Sequence, residues 1–269
     1  GVMTTIVEMM PQILPAEDTE IAQMLESILR KDGIEIFTGA TVTSIKTADH
    51  GEKKVCFTTN ADKQDRVVEK VLVAVGRSPN TTELGTENLG IALDRGRIVV
   101  NERMETNVPD IYAVGDVVGG VMLAHVAMSE GKCAVENAMG MNSKIDYHAV
   151  PRCVYCSPEV AAVGLTEEES KNQYQDIRVS RFPFMANGRA LTLNEADGVV
   201  KIIADSKYNQ ILGVTILGTE ATELIAEAVL GMQLEATSND IASCMHGHPT
   251  LSEAIMEAAL GVEGKAIHL

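Results

Sequence analysis

The stretch Val2-Met3-Thr4-Thr5-Ile6-Val7-Glu8, read together with the residues up to Phe37, decides the fold at the head of the chain. Rich in β-branched residues and closed by an acid, it reads as a buried strand. From about Asp18, residues Ile21, Met24, Leu25, Ile28 and Leu29 recur at helical spacing, with Asp18 or Thr19 suited to cap the start and Gly33 the end. Ile34 to Phe37 is the next strand. Strand, crossing helix and strand make the core of a parallel α/β unit. A carboxylate at a strand end in such a unit is placed to hold ribose hydroxyls, which nominates Glu8 for dinucleotide binding. The glycine fingerprint that accompanies such a strand would precede Gly1.

Further along, Val42 to Lys46 and Lys53 to Thr59 flank Asp49-His50-Gly51 and read as a hairpin. Val67 to Val75 reads as another strand, halted by Gly76-Arg77-Ser78-Pro79-Asn80. From Gly76 to about Asp146 short strands and glycine turns take over. Ile98 to Asn101 is one strand; Thr106 to Asp116 reads as a turn, a strand and a Gly-Asp terminus, and a helix runs from about Leu123 to Met139. Gly115 permits close backbone approach. Asp116, at a strand end facing a helix start, suits either turn formation or a grip on the polyhydroxyl chain of a cofactor. Met122, Met128, Met139 and Met141 read as helix packing.

From about Tyr147 the pattern becomes α+β. Strands are predicted at Cys153 to Tyr155, Val160 to Gly164, Ile177 to Pro183, Gly198 to Ala204 and Ile211 to Leu217. Helices are predicted near Thr166 to Asn172, Ala221 to Leu234 and Asn239 to Met245. Consecutive strands followed by helices imply a mostly antiparallel sheet with helices on one side. The chain closes on His246-Gly247-His248-Pro249-Thr250-Leu251-Ser252-Glu253 and an apolar-periodic helix to Leu260. Proline fits a first helical position, which would fix His248 at the mouth of that helix. His248 and Glu253 form either a structural cap or an imidazole–carboxylate dyad for proton transfer.

Composition narrows the function. The 269 residues include 38 acidic and 22 basic side chains, for a formal charge of −16, without a basic stripe, which argues against nucleic acid or an anionic membrane as partner. No run approaches a membrane span, and the opening residues lack the pattern of a signal region, so a cytoplasmic protein is expected. Cys56, Cys133, Cys153, Cys156 and Cys244 are an odd, scattered set that suits a reducing compartment. Cys153 and Cys156 stand three apart in a predicted strand and point to opposite faces, and no second pair completes a metal site.

Several stretches together resemble the flavin-dependent pyridine nucleotide–disulfide oxidoreductases. Thr106 to Asp116 is similar to the family's second flavin motif, Val75 to Thr81 to the strand crossing between its two nucleotide domains, and His248-Pro249-Thr250 to its catalytic signature. Phe182-Pro183-Phe184 with Asn187 and Arg189, Ile216-Leu217-Gly218, Glu223-Leu224-Ile225 and Leu251-Ser252-Glu253 resemble the branch that oxidises dihydrolipoamide. The resemblance implies a remnant of a Rossmann-like NAD domain over 1–75, an FAD-domain segment over 76–146 and an α+β dimerisation domain with an antiparallel sheet over 147–269. It implies FAD and NAD as cofactors, His248 as base and Glu253 as its orienting acid. Asp116 would bond the flavin ribityl chain, and Met122, Leu123, Ala124 and His125 would line the flavin; Glu8, Val42 and Gly76 would lie along NAD. Expected partners are a second copy of the chain, as a homodimer, and the lipoyl domain of a 2-oxo acid dehydrogenase, acetoin dehydrogenase or glycine-cleavage complex. The family's first glycine motif and redox cysteine pair are absent from these residues. A non-catalytic dimerisation module, and another disulfide reductase or transhydrogenase of the family, are therefore the alternatives.

Overall fold

The computed structural model describes residues 1–60 and 62–269. The first segment holds β1 (Thr5–Val7), α1 (Thr19–Lys31), β2 (Glu35–Phe37), β3 (Thr41–Thr47), β4 (Lys53–Thr58) and β5 (Lys63–Val68). The middle holds α2 (Thr86–Leu89), β6 (Leu93–Asp94), β7 (Arg97–Ile98) and α3 (Ala124–Ala138). Next come β8 (Arg152–Val154), β9 (Glu159–Gly164), α4 (Glu167–Gln173), β10 (Ile177–Pro183) and α5 (Gly188–Leu193). The chain ends with β11 (Val199–Asp205), β12 (Ile211–Gly218), α6 (Ala221–Gln233), α7 (Ser238–Ser243) and α8 (Glu253–Gly261). These elements gather into two compact units: Gly1–Val71 with Ala149–Leu269, and Leu72–His148.

In the first unit β1 and β2 pair in parallel, with Thr5 opposite Glu35, so the strand–helix–strand core is present. β1 is shorter than predicted and half-buried. Asp18 caps α1 by accepting the Glu20 N–H. β3, β4 and β5 form an antiparallel sheet that contains the predicted hairpin. The strand predicted over Val67 to Val75 is displaced: β5 ends at Val68, and Leu72, Val73 and Val75 are exposed. No strand among the described residues pairs with them, and an apolar run without a hydrogen-bonding neighbour does not register as a strand.

The rest of this unit is built on a five-stranded antiparallel sheet ordered β10-β11-β12-β9-β8. β11 and β12 are buried along their whole length. Their residues alternate between faces. On one face Val200, Ile202, Val214 and Ile216 pack with Ile225 and Ala228 of α6 and Ile255 and Ala258 of α8. On the other, Val160, Val199 and Leu217 meet Ile21 and Leu25 of α1. The sheet is thus covered on both sides, where one-sided cover was expected. The second layer comes from the head of the chain, whose helix has its own apolar stripe to bury.

Two-sided burial leaves Lys201, in the middle of β11, only 1% exposed. Its Nζ lies 2.9 Å from Asp18 Oδ1, 3.0 Å from Asp18 Oδ2, and 2.8 Å from both Glu20 and Glu167. Arg181 adds bonds to Glu20 and Glu167, and Asp18 accepts the Glu167 N–H at the start of α4. Burial acts against the ammonium, but the three carboxylates outweigh it and raise Lys201 above its ordinary pKa. Burial likewise acts to raise Glu167; Lys171, Lys201 and Arg181 overcome it and hold the carboxyl at about 2.

The second unit is sparser in regular structure. β6 and β7 form a two-residue ribbon, so the strand predicted over Ile98 to Asn101 is reduced to its start. Ile111 to Val114 contributes only the bridge Glu105–Tyr112, and a 3₁₀ turn follows over Gly115–Val118. Isolated ribbons are marginal without further strands, which the unit does not supply among the described residues. α3 presents Val126, Glu130, Cys133, Ala134 and Asn137 to the interior.

Replacing Lys201 by Met leaves three carboxylates clustered around a lost cation, and is expected to cost about 3–5 kcal/mol of unfolding free energy in urea titrations. A loss near zero would mean that the cluster does not hold α1 to the sheet. Glu167 titrates lower when folded, so its contribution is complete above the unfolded value near 4.5 and is lost as pH falls toward about 2. Glu167→Gln is expected to flatten the stability curve over that window.

Candidate active site and cofactor-binding segments

α8 begins later than its sequence suggests. The helix starts at Glu253, so Pro249 lies in the loop before it and is not the first helical residue; the His248–Pro249 peptide is cis. The two predicted partners nevertheless meet. His248 Nδ1 lies 2.8 Å from Glu253 Oε1, and Glu253 Oε2 accepts the Thr250 N–H at 2.7 Å. Sitting at the positive end of α8, the carboxylate draws the loop and the ring together. Partial burial acts to raise the Glu253 pKa, but the Thr250 N–H and the His248 ring outweigh it and hold the carboxyl below its ordinary value. The His248 side chain is 79% exposed and that of Glu253 21%. An open imidazole on a sheltered, ionised carboxylate can exchange a proton with a docked thiol, hydroxyl or amine.

The loop is held from outside as well. Thr250 Oγ1 donates to the Gly247 carbonyl at 2.7 Å, and Asn187 Nδ2 donates to the Thr250 carbonyl at 3.0 Å. Asn187 in turn caps α5 by accepting the Ala190 N–H. Its position depends on the turn at Phe184, whose ring occupies the space that a Cβ on Gly218 would fill, 2.5 Å away. Gly218 has φ +152°, which also favours glycine. A second imidazole pair lies in the same stretch: His246 Nε2 is 2.9 Å from Glu227 Oε1 and Nδ1 is 3.1 Å from the Cys244 carbonyl. With 7% of its side chain exposed, His246 is sheltered from anything that reaches His248.

In the second unit, Asp116 lies in the 3₁₀ turn and Met122, Leu123, Ala124 and His125 lead into α3, where Leu123 is the residue before the first turn and no side chain caps the helix. Asp116 Oδ2 accepts from Arg77 Nη2 at 2.8 Å and Nε at 3.2 Å. Gly115, at φ +78°, brings the turn so close to α3 that an added Cβ would lie 3.3 Å from that of Ala127. The group that fixes the turn is Glu130, which sequence reasoning missed. Its Oε2 accepts the Gly115 N–H at 2.6 Å and its Oε1 the Tyr147 hydroxyl at 2.7 Å. Burial and the adjacent carboxylate push the Tyr147 phenol well up, so it remains a donor. The signal was its place on the buried stripe of α3, where an acid has to be paired. A tight glycine turn carrying a carboxylate before an uncapped helix start fits the ribityl and phosphate groups of a flavin dinucleotide.

Of the residues expected along a nicotinamide cofactor, Glu8 follows β1 and accepts the Met10 N–H at 2.7 Å, and Val42 lies half-exposed on β3. Gly76 belongs to the other unit, where it adopts φ +119° with open space at its Cβ position. A strand-end carboxylate in a parallel unit fits a ribose diol. All five cysteines are free. Cys153 packs in the cluster on the α6–α8 face and Cys156 in the one facing α1, and burial raises both thiols above their ordinary pKa. No group of three or more metal-ligating side chains occurs among the described residues.

Known proteins match nearly the whole chain. The family described as pyridine nucleotide-disulphide oxidoreductase matches residues 1–131, and its dimerisation domain matches residues 150–259. The chain is 46% identical to the dihydrolipoyl dehydrogenase of Bacillus subtilis, over all of this chain and 57% of that protein. It is 43% identical to the mitochondrial dihydrolipoyl dehydrogenase of Pisum sativum, over all of this chain and 54% of that one. Among solved structures, LpdA of Mycobacterium tuberculosis superposes with a TM-score of 0.88 at 32% identity, covering 96% of this chain and 56% of its own. The HOCl-induced flavoprotein disulfide reductase RclA of Escherichia coli, as its Cu(II) complex, gives 0.87 at 31%, covering 96% and 58%. The chain thus spans a little over half the length of the relatives it matches.

The Glu253 contact requires the proton on Nδ1 of the neutral His248 ring. Nitrogen-15 NMR of the labelled protein is expected to find the Nδ1–H tautomer, and Glu253→Ala to return the ring to the Nε2–H form favoured by free imidazole. The same tautomer in both proteins would rule out the carboxylate as the orienting group.

Proposed function

Since this chain belongs to the pyridine nucleotide-disulphide oxidoreductase family, we propose that it supplies the acid–base dyad and dimerisation domain of a dihydrolipoyl dehydrogenase. In that enzyme, protein-bound dihydrolipoamide is oxidised to lipoamide, with NAD+ as hydride acceptor. The observation that carries the reading is the His248–Glu253 pair, an exposed ring on a sheltered carboxylate within the matched dimerisation domain. With Nδ1–H given to Glu253, Nε2 takes the proton of a dihydrolipoamide thiol, and Glu253 stabilises the imidazolium that results. The thiolate so released is the form that attacks a disulfide. The chain's own five cysteines are free, and burial raises the thiols of Cys133, Cys153 and Cys156 above their ordinary pKa. The dyad then acts across a homodimer interface on the disulfide of the partner subunit.

The segments divide the remaining roles. Residues 1–75 would belong to the NAD domain, with Glu8 holding the ribose hydroxyls and Val42 alongside; a carboxylate there repels the extra phosphate of NADP. Residues 76–146 would return to the FAD domain, with Asp116 on the ribityl chain and Met122 to His125 along the flavin. Bound FAD supplies the two-electron relay to NAD+. Residues 147–269 would form the interface. The lipoyl domain of a 2-oxo acid dehydrogenase, acetoin dehydrogenase or glycine-cleavage complex delivers the substrate, and the free cysteines suit a reducing cytoplasm. No helix among the described residues is long and apolar enough to cross a membrane.

In the full-length protein, His248→Gln is expected to slow flavin reduction by dihydrolipoamide by about 100-fold or more, while reduction by NADH stays near normal. An unchanged dihydrolipoamide rate would remove His248 as the base. The 269-residue chain on its own is expected to show no dihydrolipoamide–NAD+ turnover. Turnover would mean that its own thiols supply the disulfide.

A further inference from the structure

α8 carries a second carboxylate one turn beyond Glu253. Glu257 is 2% exposed, and its partners all come from the segment that comes after the helix. Oε2 accepts the Ile267 N–H at 2.7 Å and the His268 N–H at 3.4 Å, while Oε1 lies 2.6 Å from His268 Nδ1. The segment therefore folds back along α8. Glu253 and Glu257 are four residues apart and share one helix face, with β-carbons about 5–6 Å apart. The ring of His268, 67% exposed, thus hangs from the carboxylate one turn along the helix from the one that holds His248.

We propose that the Glu257–His268 pair positions the catalytic dyad, His268 acting as a positioning residue that confines Glu253 and the His248 ring to one arrangement. The inference rests on the reading of His248 as the base for dihydrolipoamide. A buried carboxylate is retained only where its bonds are satisfied, and Glu257 has the backbone of the returning segment on one oxygen and a ring on the other. Those bonds pin the returning segment against α8. A protonated His268 also acts on Glu253 in the same direction as His248, favouring the ionised acid. The remaining charges near these turns are already matched, His246 with Glu227 and Lys265 with Glu263.

Stopped-flow reduction of the full-length FAD-loaded enzyme, by dihydrolipoamide and separately by NADH, tests this. His268→Ala is expected to slow the dihydrolipoamide half-reaction about tenfold, as a small misplacement of reacting groups does, and to leave the NADH half-reaction within about twofold. His268→Asn, which restores a donor to Glu257, is expected to recover most of the loss. Wild-type reduction by dihydrolipoamide in His268→Ala, or equal loss of both half-reactions with a fall in Tm, would overturn the proposal. His248→Gln, measured alongside, separates the two ideas. If it too leaves dihydrolipoamide reduction unchanged, the reading of the dyad fails, and the positioning role with it.

Discussion

The ammonium of Lys201 sets the terms for the first unit. A strand covered on both faces has no water to solvate a charge, so Lys201 is stable in β11 only if carboxylates come to it. They come from three places: Asp18 at the cap of α1, Glu20 in its first turn and Glu167 at the start of α4. Asp18 is therefore committed three times, to Lys201, to the Glu20 N–H and to the Glu167 N–H. That concentration of bonds fixes how the head of the chain lies on the sheet. The opposite face is left to α6 and α8, and so to the dyad. Replacing such a cluster with apolar residues need not cost stability, but removing one member does, so its value is in specifying one packing.

Much of this architecture was legible because it is periodic. β10, α1, α3 and α6 fall within a residue or two of their predicted limits, since alternation or a helical stripe repeats along each. Legibility failed where a strand depends on neighbours. Val67 to Val75 has the residues of a strand, yet Leu72 to Val75 pairs with no strand among the described residues. The middle unit shows the same failure, with Ile111 to Val114 reduced to a bridge. The second layer on the main sheet was invisible because it is formed by residues remote in sequence. Nothing in the spacing of α1 says which sheet its stripe will cover.

At the site, the contact between His248 and Glu253 was legible and its scaffold was not. A histidine and an acid five residues apart around a proline suggested a helix start, and the helix starts instead at the acid itself. Within the loop Thr250 bonds Gly247; from outside it Asn187, at the start of α5, bonds the Thr250 carbonyl, and Gly218 of β12 leaves room for the Phe184 ring on which Asn187 depends. None is exceptional as a residue type; each matters through a contact that only the tertiary fold creates.

One device recurs where a loop has to be set against a helix. Glu253, Glu257 and Glu130 each divide their carboxylate, one oxygen taking a backbone N–H and the other a ring nitrogen or phenol. The pairs are Thr250 and His248, Ile267 and His268, and Gly115 and Tyr147. A carboxylate suits this because both oxygens accept, whereas an amide presents one acceptor and one donor and would set its NH2 against one of the two donors. Charge strengthens both bonds, and the shared atoms make loop and ring move as one body. Burial then separates the roles. Glu130 and Glu257, each 2% exposed, serve geometry alone. Glu253, 21% exposed beneath a ring that is 79% exposed, is the least buried of the three, and that access is what turns a structural clasp into a site for proton transfer.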